Sequence, residues 1–135
     1  MKILKTLTLR GPNYWSIRYT KLIVIRLDLQ ELKDRPSNEI PDFYEGLKST
    51  LPSLYDHFCS PGRHGGFLER VQEGTYLGHI IEHVALELQT LAGMPVGFGR
   101  TRSTADDGVY QVVFEYENEQ AGRYAARAAV HLSHR

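Results

Sequence analysis

The sequence predicts an α+β fold, a mainly antiparallel sheet with helices packed on one face. Three observations carry this: two β-rich runs near the start and a third near the end, an alanine-rich closing segment, and a middle stretch with helical rather than alternating periodicity. With 135 residues, 41% of them hydrophobic, residues 1–135 are expected to form a single domain around one core.

In chain order, Ile3, Lys5, Leu7 and Leu9 alternate with Leu4, Thr6 and Thr8 before the Gly11-Pro12-Asn13 cluster, the pattern of a strand ending in a turn. Residues 21–28 are rich in Ile, Val and Leu and read as a buried second strand. Pro36 and Pro41 bracket a polar loop, after which Asp42 is placed to cap a helix bearing Phe43, Leu47 and Leu51. Pro52 restarts the chain, and a short helix through Leu54, Tyr55 and Phe58 is expected. Residues 60–66, SPGRHGG, read as a glycine-rich loop. A helix is predicted over 75–91, closed by Gly93 and Pro95. Residues 109–116 read as a strand, and Asn118 or Glu119 opens the last helix.

Charge and composition exclude several functions. Sixteen basic residues balance sixteen acidic ones, so no overall field draws nucleic acid or an anionic membrane surface. No apolar run approaches the roughly 20 residues that span a bilayer. The single cysteine, Cys59, has no partner within the chain and is read as a small buried residue, which points to the cytoplasm.

The chemistry sits on the middle helix. At 100° per residue, Leu77, Ile80, Ile81, Val84, Leu88 and Leu91 share one arc, the expected core side. His79, Glu82 and His83 fall roughly opposite, with Tyr76, Leu86, Glu87 and Thr90. Leu86 in that polar group implies a partly covered face, such as the wall of a cleft. Two imidazoles one turn apart can hold one zinc ion, and a carboxylate beside the second can reach a water there. The order is H-x-x-E-H, the reverse of H-E-x-x-H. Catalytic zinc takes three protein ligands; Glu69, Glu73, Glu87 and Glu119 are candidates for the third, and spacing does not separate them. The same short pattern also arises on ordinary solvated helix faces.

A second constellation is the run 97–102, GFGRTR, read as a loop in which Arg100 and Arg102 offer bidentate contacts to carboxylates. Surface salt bridging is the alternative. Tyr14 and Trp15, beside Arg10 and Arg18, are read as core anchors. His57, His64, His131 and His134 show no metal-ligand spacing and receive no role.

The segments LRGPNYWSI, RPSNEIPDFYEGL, GGFLERVQEGTYLGHIIEHVALELQTLAGMPVGFGRTR and VYQVVFEYENEQAGRYAARAA resemble the amino-terminal domain of cyanophycin synthetases, from Met1 to about Val130. That family couples such a domain to an ATP-grasp domain and a Mur-ligase-like domain, which add Asp and Arg to a polymer of aspartate bearing arginine branches. Both ligase domains and any G-x-x-x-x-G-K-[ST] phosphate loop are absent from this sequence, so it carries no ATP site. The resemblance implies a domain that binds cyanophycin and, where the motif is intact, cuts it by zinc-dependent hydrolysis into short primers. His79 and His83 would then hold Zn²⁺ and Glu82 would serve as the base. Arg100 and Arg102 would meet polymer carboxylates, and Glu69, Glu73 or Glu87 its guanidinium groups. GTYLGHIIEH is also similar to the metal-binding helix of pitrilysin-type peptidases, whose third ligand is a Glu on a later helix; whether that helix lies beyond Arg135 stays open. The alternative is a non-catalytic module that anchors the polymer for the ligase domains.

Overall fold

The computed structural model describes residues 1–17, 19–57 and 64–134, the last of these without its side chain. Expectations for Arg18, Phe58, Cys59 and residues 60–63 lie outside the described residues. Strands β1 (Lys2–Arg10), β2 (Lys21–Asp28), β3 (Gly99–Ser103) and β4 (Val109–Glu115) form one sheet in the order β1-β2-β4-β3, every neighbouring pair antiparallel. Helices α1 (Phe43–Thr50), α2 (Gly66–Glu73), α3 (Leu77–Leu91) and α4 (Glu119–His134) complete it, with short 3₁₀ turns between. The α+β architecture expected from the sequence is the one observed.

Strand β2 is central and buried on both faces, which is why it reads as a continuous apolar run. Ile23, Ile25 and Leu27 face the helices with Val112 and Phe114 of β4. Leu22 and Val24 face the other way and meet Val113, Trp15, Leu7, Leu9 and Phe98. The second face is therefore closed by the chain between β1 and β2, with Trp15 only 8% exposed as the anchor. Asn13 shapes that segment: its Oδ1 accepts the backbone N–H groups of Trp15 at 2.7 Å and Ser16 at 3.1 Å. Tyr14 beside it is 77% exposed and is no core anchor.

A bulge divides β1. The pairing with β2 shifts between Ile3 and Lys5, and an extra residue reverses which side each later side chain faces. Ile3 packs on the helix-side core while Leu7 and Leu9 pack on the Trp15 side, although all three share one sequence parity.

Three further sequence expectations need correction, and one helix was not expected. Asp42 precedes α1 but makes no side-chain cap; it sits in the left-handed region at φ 60°. The run around Arg100 and Arg102 is strand β3 rather than a loop, paired through Arg100 with Val113 and through Arg102 with Gln111. Helix α2 had no counterpart in the periodicity. Leu91, placed on the core arc, is 60% exposed, because α3 ends there and the chain turns away at Gly93. Asn118 does cap α4, its Oδ1 accepting the N–H of Ala121 at 3.0 Å.

Candidate active-site cleft

Helix α3 is wrapped on two sides. Ile80, Ile81, Val84 and Ala85 join the main core, yet Glu82, His83, Leu86 and Glu87 are also buried, at 6%, 7%, 4% and 2% exposure. The flank that the wheel placed away from the core is covered by α2, through Phe67, and by the 3₁₀ turn Pro52–Asp56. An opening of about 500 Å³ remains on it, lined by Asp56, His57, His79, Glu82, His83, Leu86, Thr90, Val96, Gly97 and Gly99. His79, Glu82 and His83 thus share one cleft wall.

Each of the three is held from behind. The His79 and His83 rings lie nearly perpendicular with centroids 4.8 Å apart. Phe67 stacks on His83 at 4.0 Å and meets His79 edge-on at 5.6 Å, which fixes both ring planes. Thr75 Oγ1 lies 3.1 Å from His79 Nδ1, and His57 Nδ1 lies 2.9 Å from His83 Nδ1. Thr101 of β3 donates its hydroxyl to Glu82 Oε1 at 2.8 Å, leaving Glu82 Oε2 3.7 Å from His83 Nε2. Gly99 makes room for this: a Cβ there would come within 2.7 Å of Glu82 Cγ.

Burial sets the electrostatics. The Glu82 carboxyl is pushed up to about 7 by loss of water, against opposing pulls from the Thr101 hydroxyl and the Arg100 charge. His79 is lowered to about 4, first by desolvation and then by the Arg70 guanidinium. His83 falls well below the ordinary imidazole value for want of solvent, with His79 and His57 adding repulsion. At neutral pH both imidazoles are neutral and bear lone pairs, while Glu82 is poised between its two forms.

Neutral imidazoles are the right donor type for zinc. Among the described residues, however, no group of three His, Cys, Asp or Glu side chains is arranged to hold a metal ion. Glu119, a candidate third ligand, is tied to Arg123 at 3.0 Å on α4. Neither Glu69 nor Glu73 lines the cleft; both ride on α2, Glu73 exposed. Glu87, expected at the polymer surface, instead lies at 2% exposure, bonded to the Ser53 hydroxyl and, at 3.1 Å, facing His57 Nε2.

Arg100 is outside the cleft wall and lines a neighbouring depression with Tyr14, Trp15, Phe98 and Glu115; Gly97 belongs to both hollows. Arg102 lies over Tyr14 at 4.8 Å and Trp15 at 5.1 Å and donates to the Tyr14 hydroxyl. His57, Thr101 and Phe67 escaped the sequence reading. They reach α3 from 12 to 30 positions away along the chain, a separation at which no local pattern signals contact.

Residues 24–135 match the family described as the cyanophycin synthase-like N-terminal domain. The chain is 76% identical over 132 residues to the cyanophycin synthetase of Crocosphaera subtropica, and 74% identical over 132 residues to those of Synechocystis sp. and Trichormus variabilis. These alignments cover 98% of this chain and 15% of each relative.

Proposed function

The chain belongs to the cyanophycin synthase-like N-terminal domain family, and from that premise we propose that its cleft takes the Asp/Arg polymer cyanophycin and hydrolyses it into short primers. ATP-dependent ligation is assigned to ATP-grasp and Mur-ligase-like partner domains in the part of the relatives that this chain does not span. The observation that carries the reading is Glu82: a buried carboxyl of pKa about 7, open to a cleft and flanked by two neutral imidazoles.

Hydrolysis adds water across an amide, its oxygen to the carbonyl carbon and its protons to the leaving nitrogen. Near neutral pH Glu82 exists both as carboxylate, which accepts the water's proton, and as acid, which delivers it to the amine. Thr101 restrains Oε1, so the proton traffic falls to Oε2, the oxygen nearer His83. His79 and His83 would hold Zn²⁺, with Glu82 beside them as the base rather than a ligand. When bound, zinc supplies Lewis acidity that polarises a carbonyl and acidifies a water. Arg100 and Arg102, stiffened against Phe98, Tyr14 and Trp15, would receive polymer carboxylates beside the cleft, with Glu69 and Glu73 on α2 for guanidinium groups.

One observation favours a second reading, a non-catalytic anchor: the hollow beside the cleft, lined by Arg100, Tyr14, Trp15 and Phe98, offers a charged and aromatic surface for the polymer that needs no metal. The test is release of short arginine-bearing fragments from purified cyanophycin without ATP, with zinc content followed in parallel. Glu82→Gln is expected to keep its zinc and lose about 10² to 10⁴-fold in rate. His79→Ala is expected to lose both metal and activity. A parent that binds polymer but cuts it no faster than Glu82→Gln leaves the anchor as the better account.

A further inference from the structure

His57 belongs to no motif, yet the fold ties it to the α3 site. It follows the turn Pro52–Asp56, its N–H bonded to Leu54 O at 3.0 Å, and its side chain enters between α3 and α2. Both ring nitrogens are engaged: Nε2 lies 3.1 Å from Glu87 Oε1 and Nδ1 lies 2.9 Å from His83 Nδ1. The Ser53 hydroxyl donates to the other oxygen of Glu87. His57 borders the cleft, and both of its ring nitrogens are taken up by these contacts.

The hydrogen-bond chemistry of this row orders its protons. A carboxylate only accepts, so the hydrogen between Glu87 and His57 sits on His57 Nε2. In its neutral form His57 carries one N–H, and with that on Nε2 its Nδ1 is an acceptor. The hydrogen between the two rings then belongs to His83 Nδ1, and the lone pair of His83 is left on Nε2, the nitrogen 3.7 Å from Glu82 Oε2. Phe67, stacked on His83, prevents the ring from turning to exchange its nitrogens.

We propose that Glu87 and His57 are positioning residues that lock His83 in its Nδ1–H tautomer and so aim the Nε2 lone pair into the cleft. Carboxylates and carbonyls behind ligating histidines commonly serve this purpose; here a buried carboxylate acts through a second imidazole. The consequence for metal rests on the reading in the previous subsection, whereas the tautomer itself does not.

The test uses this 135-residue chain, metal-free, with ¹⁵N-labelled histidine, and reads the His83 nitrogens by long-range ¹H–¹⁵N spectra at pH 8. The expected spectrum shows His83 protonated on Nδ1 and bare on Nε2. In Glu87→Gln the amide can donate as well as accept, so the Nε2–H form of His83 should appear. Zinc affinity, measured by competition with a chromophoric chelator, should fall about 10- to 100-fold. His57→Phe retains an aromatic ring, removes both nitrogens, and should move both readouts in the same direction. A parent with its proton on His83 Nε2, as a doubly protonated His57 would produce, overturns the proposal. So does a folded Glu87→Gln with unchanged tautomer and zinc affinity. A parent that takes up no zinc counts against the metal reading alone, because the tautomer decides the lock by itself.

Discussion

Helices α3 and α4 pack side by side against the sheet, yet they meet the rest of the chain differently. Helix α4 buries one stripe of small side chains, Ala125, Ala126, Ala129 and Ser133, and leaves Tyr124 at 68% exposure. Gly122 begins the stripe, where a Cβ would come within 2.6 Å of Ile23 Cδ1. Helix α3 is enclosed on two sides, so its polar flank is buried as well. The difference teaches where reactivity arises. A His or Glu on a one-sided helix keeps its water, whereas the same residue on α3 loses it and shifts towards its neutral form.

Removing the second cover is the strongest way to break the contrast. Phe67 is fully buried and stacks on His83, so Phe67→Ala should cost about 3–5 kcal/mol by cavity formation and lost transfer energy, measured by urea unfolding. A cost near that of a surface substitution would mean that α2 is only loosely laid over α3.

Acid titration of the metal-free chain sharpens the contrast. The folded pKa values of His79 and His83 lie below the ordinary 6.5, so their contribution is full above that pH and is lost as the pH falls below it, towards about 4 for His79. Glu82 runs the other way: its folded pKa, about 7 against 4.5, imposes a cost above pH 7 that disappears as the pH falls towards 4.5. Between 6.5 and 4.5, unfolding takes up two protons at the imidazoles and releases one from Glu82. Stability should therefore fall with acidification by at most about 1.4 kcal/mol per pH unit, from a net uptake of one proton. Glu82→Gln removes the opposing group and should roughly double that slope. Unfolding midpoints across this range, for parent and variant, check both; a flat profile would mean that the α3 flank is better hydrated than the structure shows.

The smallest effect belongs to α4. Tyr124→Ser changes an exposed side chain and should alter stability by no more than about 0.5 kcal/mol in the same urea assay. A larger loss would show that this flank of α4 is covered in solution.

Much of this was legible in the sequence, for identifiable reasons. Strands β2 and β4 and helix α3 are long enough, and apolar enough, for their periods to stand out. Helix α2 has eight residues, too few for a periodic signal beside the glycines that precede it. Strand β3 is five residues of mostly polar chain at the sheet edge, and β4 makes it a strand by pairing with it. In β1 the alternation was plain, but the bulge that sends Ile3 and Leu7 to opposite faces was not.

By itself the sequence determined the α+β class, the helix that carries His79, Glu82 and His83, and their common flank, because periodicity is a local property of the backbone. It also identified the family, through long matched segments. Only the tertiary structure decided that this flank is buried, that Thr101 holds Glu82, and that Glu87 turns away from the surface to meet His57. The physical reason is that proton affinity and hydrogen-bond partnership depend on what packs against a face, and the packing elements come from distant parts of the chain.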